Sequence, residues 1–358
     1  MIPNELIAVR KLASGETLSL PVYRFLGDPE APSAYFQASL HGSEVQGNWV
    51  IAELLERLPK VTIKGNITLV PCANPYAQNH KMGDYTIGRY DPTDGDNWNR
   101  AFQNLSPLAA GIQESWPEAK RSLRALILEK LAQEPKEKEG YSRFLARNLQ
   151  RLAAAHDYML DLHCAALCES YAYVPAYAFA SFAELPCRHA VRIGTEFTGA
   201  MDEAFQAPWW ALGKKIEERT GKFPPVPEGF TLELGHQDWS DPQLAAMQAE
   251  GILRFLAKKG VIEGEFKKMT FPTRFACELK NFVTDYSTHA GFVKVKAKLG
   301  EVQEAGEPYC EYLGFKDFRR SSVACPQKRI TLVFTNSSSV HEGTELGKSL
   351  TEFFPAGE

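Results

Sequence analysis

Three short polar motifs carry most of the chemistry open to this chain: His41-Gly42-Ser43-Glu44, Asp161-Leu162-His163 and Glu233. They follow the apolar runs 34–40, 158–160 and 230–232 respectively. In open α/β sheets ligands bind outside the carboxyl ends of the strands. Imidazoles and carboxylates delivered there by separate strands therefore imply one shared site. The set suits a catalytic zinc, which needs three nitrogen or oxygen ligands, one open position, and a nearby carboxylate to move protons.

The spacings support this. His41 and Glu44 are separated by two residues, so a chain that turns into a helix at Ser43 lets both face one point. Gly42 gives the backbone room for a tight turn there. Asp161 and His163 are two apart on a strand and project from the same face. Asp161 is then placed to orient an imidazole, as metal-bound histidines require. A further polar stretch begins at Asn74-Pro75, after the run 67–72, and carries Arg89, Asn99 and Arg100. A guanidinium polarises a carbonyl or grips a carboxylate with two hydrogen bonds, which a lysine does less well.

Elements of two kinds must position these groups. β-prone runs at 34–40, 67–72, 158–162, 171–174 and 230–234 alternate with helical patterns, as in a mainly parallel or mixed sheet flanked by helices. The spacing predicts a helix over 44–58 with Val50, Ile51, Leu54, Leu55 and Leu58 inward, ended by Pro59. A second helix is predicted after an Asp241-Pro242 cap, with Leu244, Met247, Ile252 and Phe255 inward and Gly260 as the stop. Residues 114–156 read as two helices split by a solvated, charged turn at 134–140. Trp209-Trp210 reads as core packing ahead of its alternative, a wall of the substrate pocket. From Phe271-Pro272 onward the chain is strand-like, with a clear helix only in its last few residues. The fold class is therefore α/β with a smaller C-terminal all-β domain, divided into 1–268 and 269–358. Residues 343–349 imitate a phosphate-binding loop but are one residue short and join no strand to a substantial helix.

Composition narrows the classes. The chain has 358 residues, 44% hydrophobic and 23% charged, ordinary for a globular protein. A net charge of −4 argues against nucleic acid as the main partner. No apolar stretch approaches the ~20 residues of a membrane span. The N-terminus lacks the basic-then-apolar layout of a signal peptide. Seven cysteines without framework spacing read as reduced thiols in a cytoplasm.

Taken in order, His41-Gly42-Ser43-Glu44, Asn74-Pro75, Arg89-Tyr90-Asp91, Asn99-Arg100, Asp161-Leu162-His163 and Glu233-Leu234-Gly235 resemble the succinylglutamate desuccinylase/aspartoacylase family. That family is itself related to the zinc carboxypeptidases. The likeness covers most of residues 30–260. It implies one zinc per chain held by His41, Glu44 and His163, with Arg89 stabilising an oxyanion. It further implies that Asn99 and Arg100 hold a substrate carboxylate and that Glu233 is the general base. The C-terminal part resembles a lipoyl/biotinyl-like β-sandwich, carried by Ala290-Gly291-Phe292 and residues 298–306, with no lysine in a recognisable modification turn.

The activity this implies is hydrolysis of the amide of an N-acyl amino acid or short acylated peptide bearing a free carboxylate. Zinc would acidify an attacking water to a pKa of about 7. The nearest rival is a metallocarboxypeptidase, differing in substrate rather than chemistry. A cysteine hydrolase built on Cys164 is disfavoured because Cys164 alternates with His163 along the strand. A non-catalytic metal- or ligand-binding module needs neither Glu233 nor Arg89. The loop 74–89 and the segment 101–155 are longer than in compact family members. Tyr171, Tyr173, Tyr177 and Tyr286 all stand open as the tyrosine over the substrate, and Cys168, Glu169 and His236 as a second metal group. The oligomeric state is left open by the sequence.

Overall fold

The computed structural model describes residues 2–133 and 139–357, so residues 134–138 of the charged turn lie outside the described residues. The chain divides into two contact units, the first made of Met1–His163, Thr195–Thr231 and Asp238–Met269. The second is made of Cys164–Gly194, Leu232–Gln237 and Thr270–Glu358.

The first unit is built on a run of mixed sheet flanked by helices. Glu5–Lys11 pairs antiparallel with Thr17–Phe25, which pairs antiparallel with Ile67–Val70. Ala34–Ala38 lies parallel between Ile67–Val70 and Tyr158–Ala165. All five residues of Ala34–Ala38 are buried, which is why this strand reads as a continuous apolar run and not as an alternation.

The helix Gln46–Arg57 begins two residues later than the predicted start at Glu44, because residues 42–43 form a turn first. Val50, Ile51 and Leu54 are buried as expected, and Pro59 sits in a 3₁₀ turn, Leu58–Lys60, that ends the element. The Asp241 side chain caps Pro242–Lys258 by accepting from the backbone of Gln243 and Leu244. Gly260 follows in the left-handed region at φ 73°. The buried stripe there is Ala245, Gln248, Ala249, Ile252, Leu253, Phe255 and Leu256. Met247 lies off that stripe and is 54% exposed. Helices Glu118–Ala132 and Tyr141–Ala154 are the two expected over 114–156. Trp209 is buried within Met201–Thr220, as core packing requires.

The second unit carries Tyr171–Pro175, His189–Ile193 and Phe275–Glu278 in parallel, with Phe354–Pro355 antiparallel at the edge. The helix expected in the last residues is thus a strand. Two further antiparallel sheets make up the all-β region. One contains Phe282–Tyr286, Glu345–Leu350, Arg329–Phe334 and Val302–Gln303. The other contains Arg320–Ala324, Pro308–Leu313, Gly291–Val295 and Ser339–Val340. Val293, Tyr309 and Tyr312 of one sheet share a core with Phe334 and Leu346 of the other. Glu345–Leu350 also accounts for the phosphate-loop lookalike, whose glycine-flanked stretch is a sheet strand.

Candidate metal centre

Ala34–Ala38 ends in Ser39, whose φ of 56° turns the chain out of the sheet and into the His41–Glu44 loop. That loop is wedged between neighbours. Gly42 donates from its backbone N to the Gly88 carbonyl at 2.9 Å. A Cβ at position 42 would stand 2.3 Å from the Ala77 carbonyl oxygen. The glycine therefore answers close approach of backbones, and its φ lies outside the left-handed region that a turn requirement would suggest. Asn74, fully buried, donates to the Leu40 carbonyl and accepts from the Ala77 backbone, which fixes the segment behind the loop. Gly47 lets the following helix start hard against the sheet, since a Cβ there would come within 2.8 Å of Leu162 Cβ and 2.9 Å of Ala38 Cβ.

This packing delivers Glu44 to two histidines. Its Oε1 lies 2.8 Å from His41 Nδ1, and its Oε2 lies 2.7 Å from His163 Nδ1. The ligand atoms of the three residues all fall within 4.8 Å of one another, and all three residues are buried. Among the described residues this is the group able to hold a metal ion. His163 sits inside the strand Tyr158–Ala165, beyond the run 158–162, and Asp161 Oδ2 meets its Nε2 at 2.9 Å as the alternation predicts.

Both imidazoles are gripped from behind. His41 Nε2 lies 3.0 Å from Asn97 Oδ1, just as His163 Nε2 faces Asp161. Asp161 Oδ1 in turn accepts from Gln37 Nε2 at 2.9 Å, and Gln37 Oε1 accepts from the Tyr35 hydroxyl at 2.9 Å. Tyr35, Gln37 and Asp161 are all fully buried, so every member of this chain needs its partner. Gln37 and Asn97 join the centre without being singled out by motif spacing. Gln37 had a signal, a lone amide within a run that is otherwise apolar but for Ser39. Burial alone would push the Glu44 carboxyl up, but the facing imidazoles of His41 and His163 hold it well below the usual carboxylate range. Burial would likewise lower His163, but the carboxylates of Asp161 and Glu44 on its two nitrogens hold it well above the usual value. The donor set of two imidazole nitrogens and a carboxylate, with both Nε2 atoms otherwise engaged and both Nδ1 atoms convergent, fits a zinc ion.

Arg89, Asn99 and Arg100 belong to the same unit as this core. Arg89 Nη1 reaches Glu44 Oε1 at 3.3 Å, with half of the Arg89 side chain exposed. Asn99 Oδ1 accepts from the Met201 backbone at 2.9 Å, at the start of Met201–Thr220. Arg100 is exposed, its Nη1 donating to the Asn99 carbonyl. Glu233 belongs to the second unit, where it lies half-buried inside the strand Glu228–His236 and not at its end. Its charge there helps raise the thiol of Cys168, which burial already pushes well above the usual value. The alternative second metal group is engaged elsewhere: His236 Nδ1 accepts from the Cys168 backbone, and Glu169 pairs with Arg188 at 3.1 Å. Tyr171 is buried against Tyr173 and Phe282.

The profile of the succinylglutamate desuccinylase/aspartoacylase catalytic domain matches residues 30–258. The chain belongs to that family. A crystal structure of a desuccinylase/aspartoacylase-type protein from Shewanella frigidimarina NCIMB 400 is 34% identical, with a TM-score of 0.93 over 98% of this chain and 97% of that one. A family protein from Shewanella amazonensis SB2B is also 34% identical, with a TM-score of 0.91 over 98% of this chain and 99% of that one. N-alpha-acetyl-L-2,4-diaminobutyric acid deacetylase of Halomonas elongata is 26% identical over 305 residues, 82% of this chain and 73% of that protein. The two activities in the family's name both remove an acyl group from an amino acid, so the chain is a member of a deacylase family with a buried histidine–glutamate–histidine group able to take a metal. Among its described residues no helix is long and apolar enough to cross a membrane, and all seven cysteines are free.

Proposed function

We propose that this desuccinylase/aspartoacylase family member is a zinc-dependent hydrolase acting on the amide of an N-acyl amino acid or short acylated peptide with a free carboxylate. The observation that carries this reading is the convergence of His41 Nδ1, His163 Nδ1 and the Glu44 carboxylate, each imidazole held from behind at Nε2. Those three residues hold the ion. Zinc bound there supplies a Lewis acid for the acyl carbonyl.

The chain's own groups do the rest. Arg89, beside Glu44, stabilises the negative charge that develops on the carbonyl oxygen. Arg100, exposed on the same loop, and Asn99 hold the substrate carboxylate. Glu233 takes the proton of the attacking water and passes it to the leaving amine, a role typically worth about 10²–10⁴-fold. The hydrolase domain is placed at 1–268 and the β-domain at 269–358, in a cytoplasmic protein whose free thiols suit that compartment. The name of the Halomonas relative makes N-acetylated diamino acids the first substrates to try, with C-terminal peptides beside them.

Metal analysis of purified wild type and His163→Ala tests the centre: about one zinc per chain is expected, lost in the variant. A wild type that neither contains nor takes up zinc would sink the mechanism. Glu233→Gln is expected to keep zinc while turnover falls by about 10²–10⁴-fold. Normal turnover in that variant would remove the base assignment.

A further inference from the structure

Asn97 lies outside the motifs named above, yet one atom of it faces two parts of the proposed site. Its Oδ1 lies 3.0 Å from His41 Nε2 and accepts the backbone N–H of Asn99 at 2.9 Å. A backbone N–H can only donate, so the amide atom facing it must be the oxygen. That fixes which way the Asn97 amide points. The same oxygen then faces His41 Nε2, which must carry the proton. With Nε2 protonated, His41 Nδ1 can give its lone pair to an ion bound beside the Glu44 carboxylate, which it contacts at 2.8 Å in the ion-free site.

The loop that presents Asn97 is closed at its base. Tyr90 and Asn97 form an antiparallel bridge, the Asp91 N donates to the Asp96 carbonyl at 2.8 Å, and the Gly95 N returns to the Asp91 carbonyl at 2.8 Å. The closure sets Asn97 close to Arg89, whose carbonyl accepts from the Trp98 backbone. Asn97 also caps the 3₁₀ turn Trp98–Arg100, which bears Asn99 and Arg100.

Resting on the zinc-hydrolase reading above, we propose that Asn97 is a positioning residue that locks His41 as an Nδ1 metal ligand and, through the same oxygen, ties the metal centre to the turn carrying the carboxylate-binding residues. The two histidines are consequently unequal. His163 is backed by the charged Asp161 and His41 by a neutral amide, and a hydrogen bond to an ionised acceptor is roughly twice as strong.

The test is zinc affinity of the full-length chain, measured by competition with a chromophoric chelator, for wild type, Asn97→Asp and Asn97→Ala. Asn97→Asp keeps both acceptor contacts and adds charge, so it is expected to bind zinc at least as tightly as wild type. Asn97→Ala is expected to lose about 10–100-fold in affinity and to raise KM for carboxylate-bearing substrates. In the zinc-loaded protein a slowly exchanging His41 Nε2 proton is expected by NMR in wild type and Asn97→Asp, and not in Asn97→Ala. Wild-type affinity in Asn97→Ala overturns the proposal while leaving the zinc reading intact. So does an Asn97→Asp protein as weak as Asn97→Ala, since the aspartate retains the acceptor. A wild type that binds no zinc overturns the reading and the proposal together.

Discussion

Replacing Gly42 by alanine is expected to damage stability and activity together, because the glycine lies where three backbone segments touch. The added Cβ would stand 2.3 Å from the Ala77 oxygen and 2.6 Å from its carbonyl carbon, while ordinary contact begins at 3.4 Å. Gly88 approaches the same oxygen from another side, 2.4 Å from where its own Cβ would be. The obstacle is backbone, and Ala77 is anchored through its N–H to Asn74 Oδ1 at 3.0 Å. The loops must therefore part by about 1 Å, and overpacking of that kind costs about 1–3 kcal/mol. At about 2–4 °C per kcal/mol for a large domain, melting should fall by about 2–12 °C. The displaced loops carry His41 and Arg89, so both contacts to Glu44, at 2.8 and 3.3 Å, are disturbed. A misplacement near 1 Å costs on the order of 10²-fold in rate. Gly111→Ala serves as the control, since a Cβ there meets nothing within 4 Å. Thermal melts, zinc competition and hydrolysis rates would be compared across the three proteins. If Gly42→Ala matches Gly111→Ala in all three, the close-approach argument is wrong.

Further expectations concern the groups around this core. Asp161→Asn removes the charge behind His163 Nε2, and zinc affinity is expected to fall by about 10–100-fold; unchanged affinity in the chelator assay would deny Asp161 its orienting role. Asp157 is buried and paired with Lys120 at 2.5 Å and Arg124 at 2.7 Å. Burial would raise its carboxyl, but Arg124 and Lys120 hold it below the usual value. A carboxylate depressed by folding contributes stability that is complete above its unfolded pKa of about 3.9 and lost as pH falls through the folded value. Asp157→Asn should therefore cost about 1 kcal/mol near neutral pH, with the gap to wild type closing in melts taken below about pH 4. A gap independent of pH would show that the loss is packing and not charge. Arg100→Ala is expected to raise KM for carboxylate substrates far more than for their amides, and equal effects would deny it the anchoring role.

How much of this was legible in the sequence depended on whether the physical cause was local. His41, Glu44 and His163 stood out because imidazoles and carboxylates are conspicuous beside apolar strands, and the i, i+2 alternation of Asp161 and His163 is a property of one strand. Strand lengths were harder to read. Tyr158–Ala165 and Glu228–His236 run past their apolar cores, so His163 and Glu233 lie within strands and not at their ends. Asp161 and His163 are tolerated inside because each satisfies the other. Gly42 looked like a turn residue, whereas its cause is the Ala77 carbonyl, a contact that spacing cannot reveal. Asn97 was lost in a polar stretch of Asp, Thr, Gly and Asn residues, its histidine partner 56 positions away. Met247 fitted the apolar periodicity but falls off the buried stripe, which small and polar residues such as Ala245 and Gln248 complete.

These differences also divide the centre itself. The His163 half is specified by the sheet: Asp161 is two residues away on the same strand, and Gln37 is the register partner of Asp161 on the neighbouring parallel strand. It forms with the sheet, and its orientation is as secure as the core around it. The His41 half is assembled from three segments, the 41–44 loop, the 89–100 loop and the short helix Pro75–Gln78, joined by single hydrogen bonds and by glycines that admit close contact. Local opening free energies track buried contacts and shared hydrogen bonds. Opening of the 89–100 loop would withdraw Asn97 and Arg89 together while Asp161 still holds His163. On the zinc-hydrolase reading proposed above, metal retention and substrate orientation would both depend on this loop keeping its contacts to His41 and Glu44.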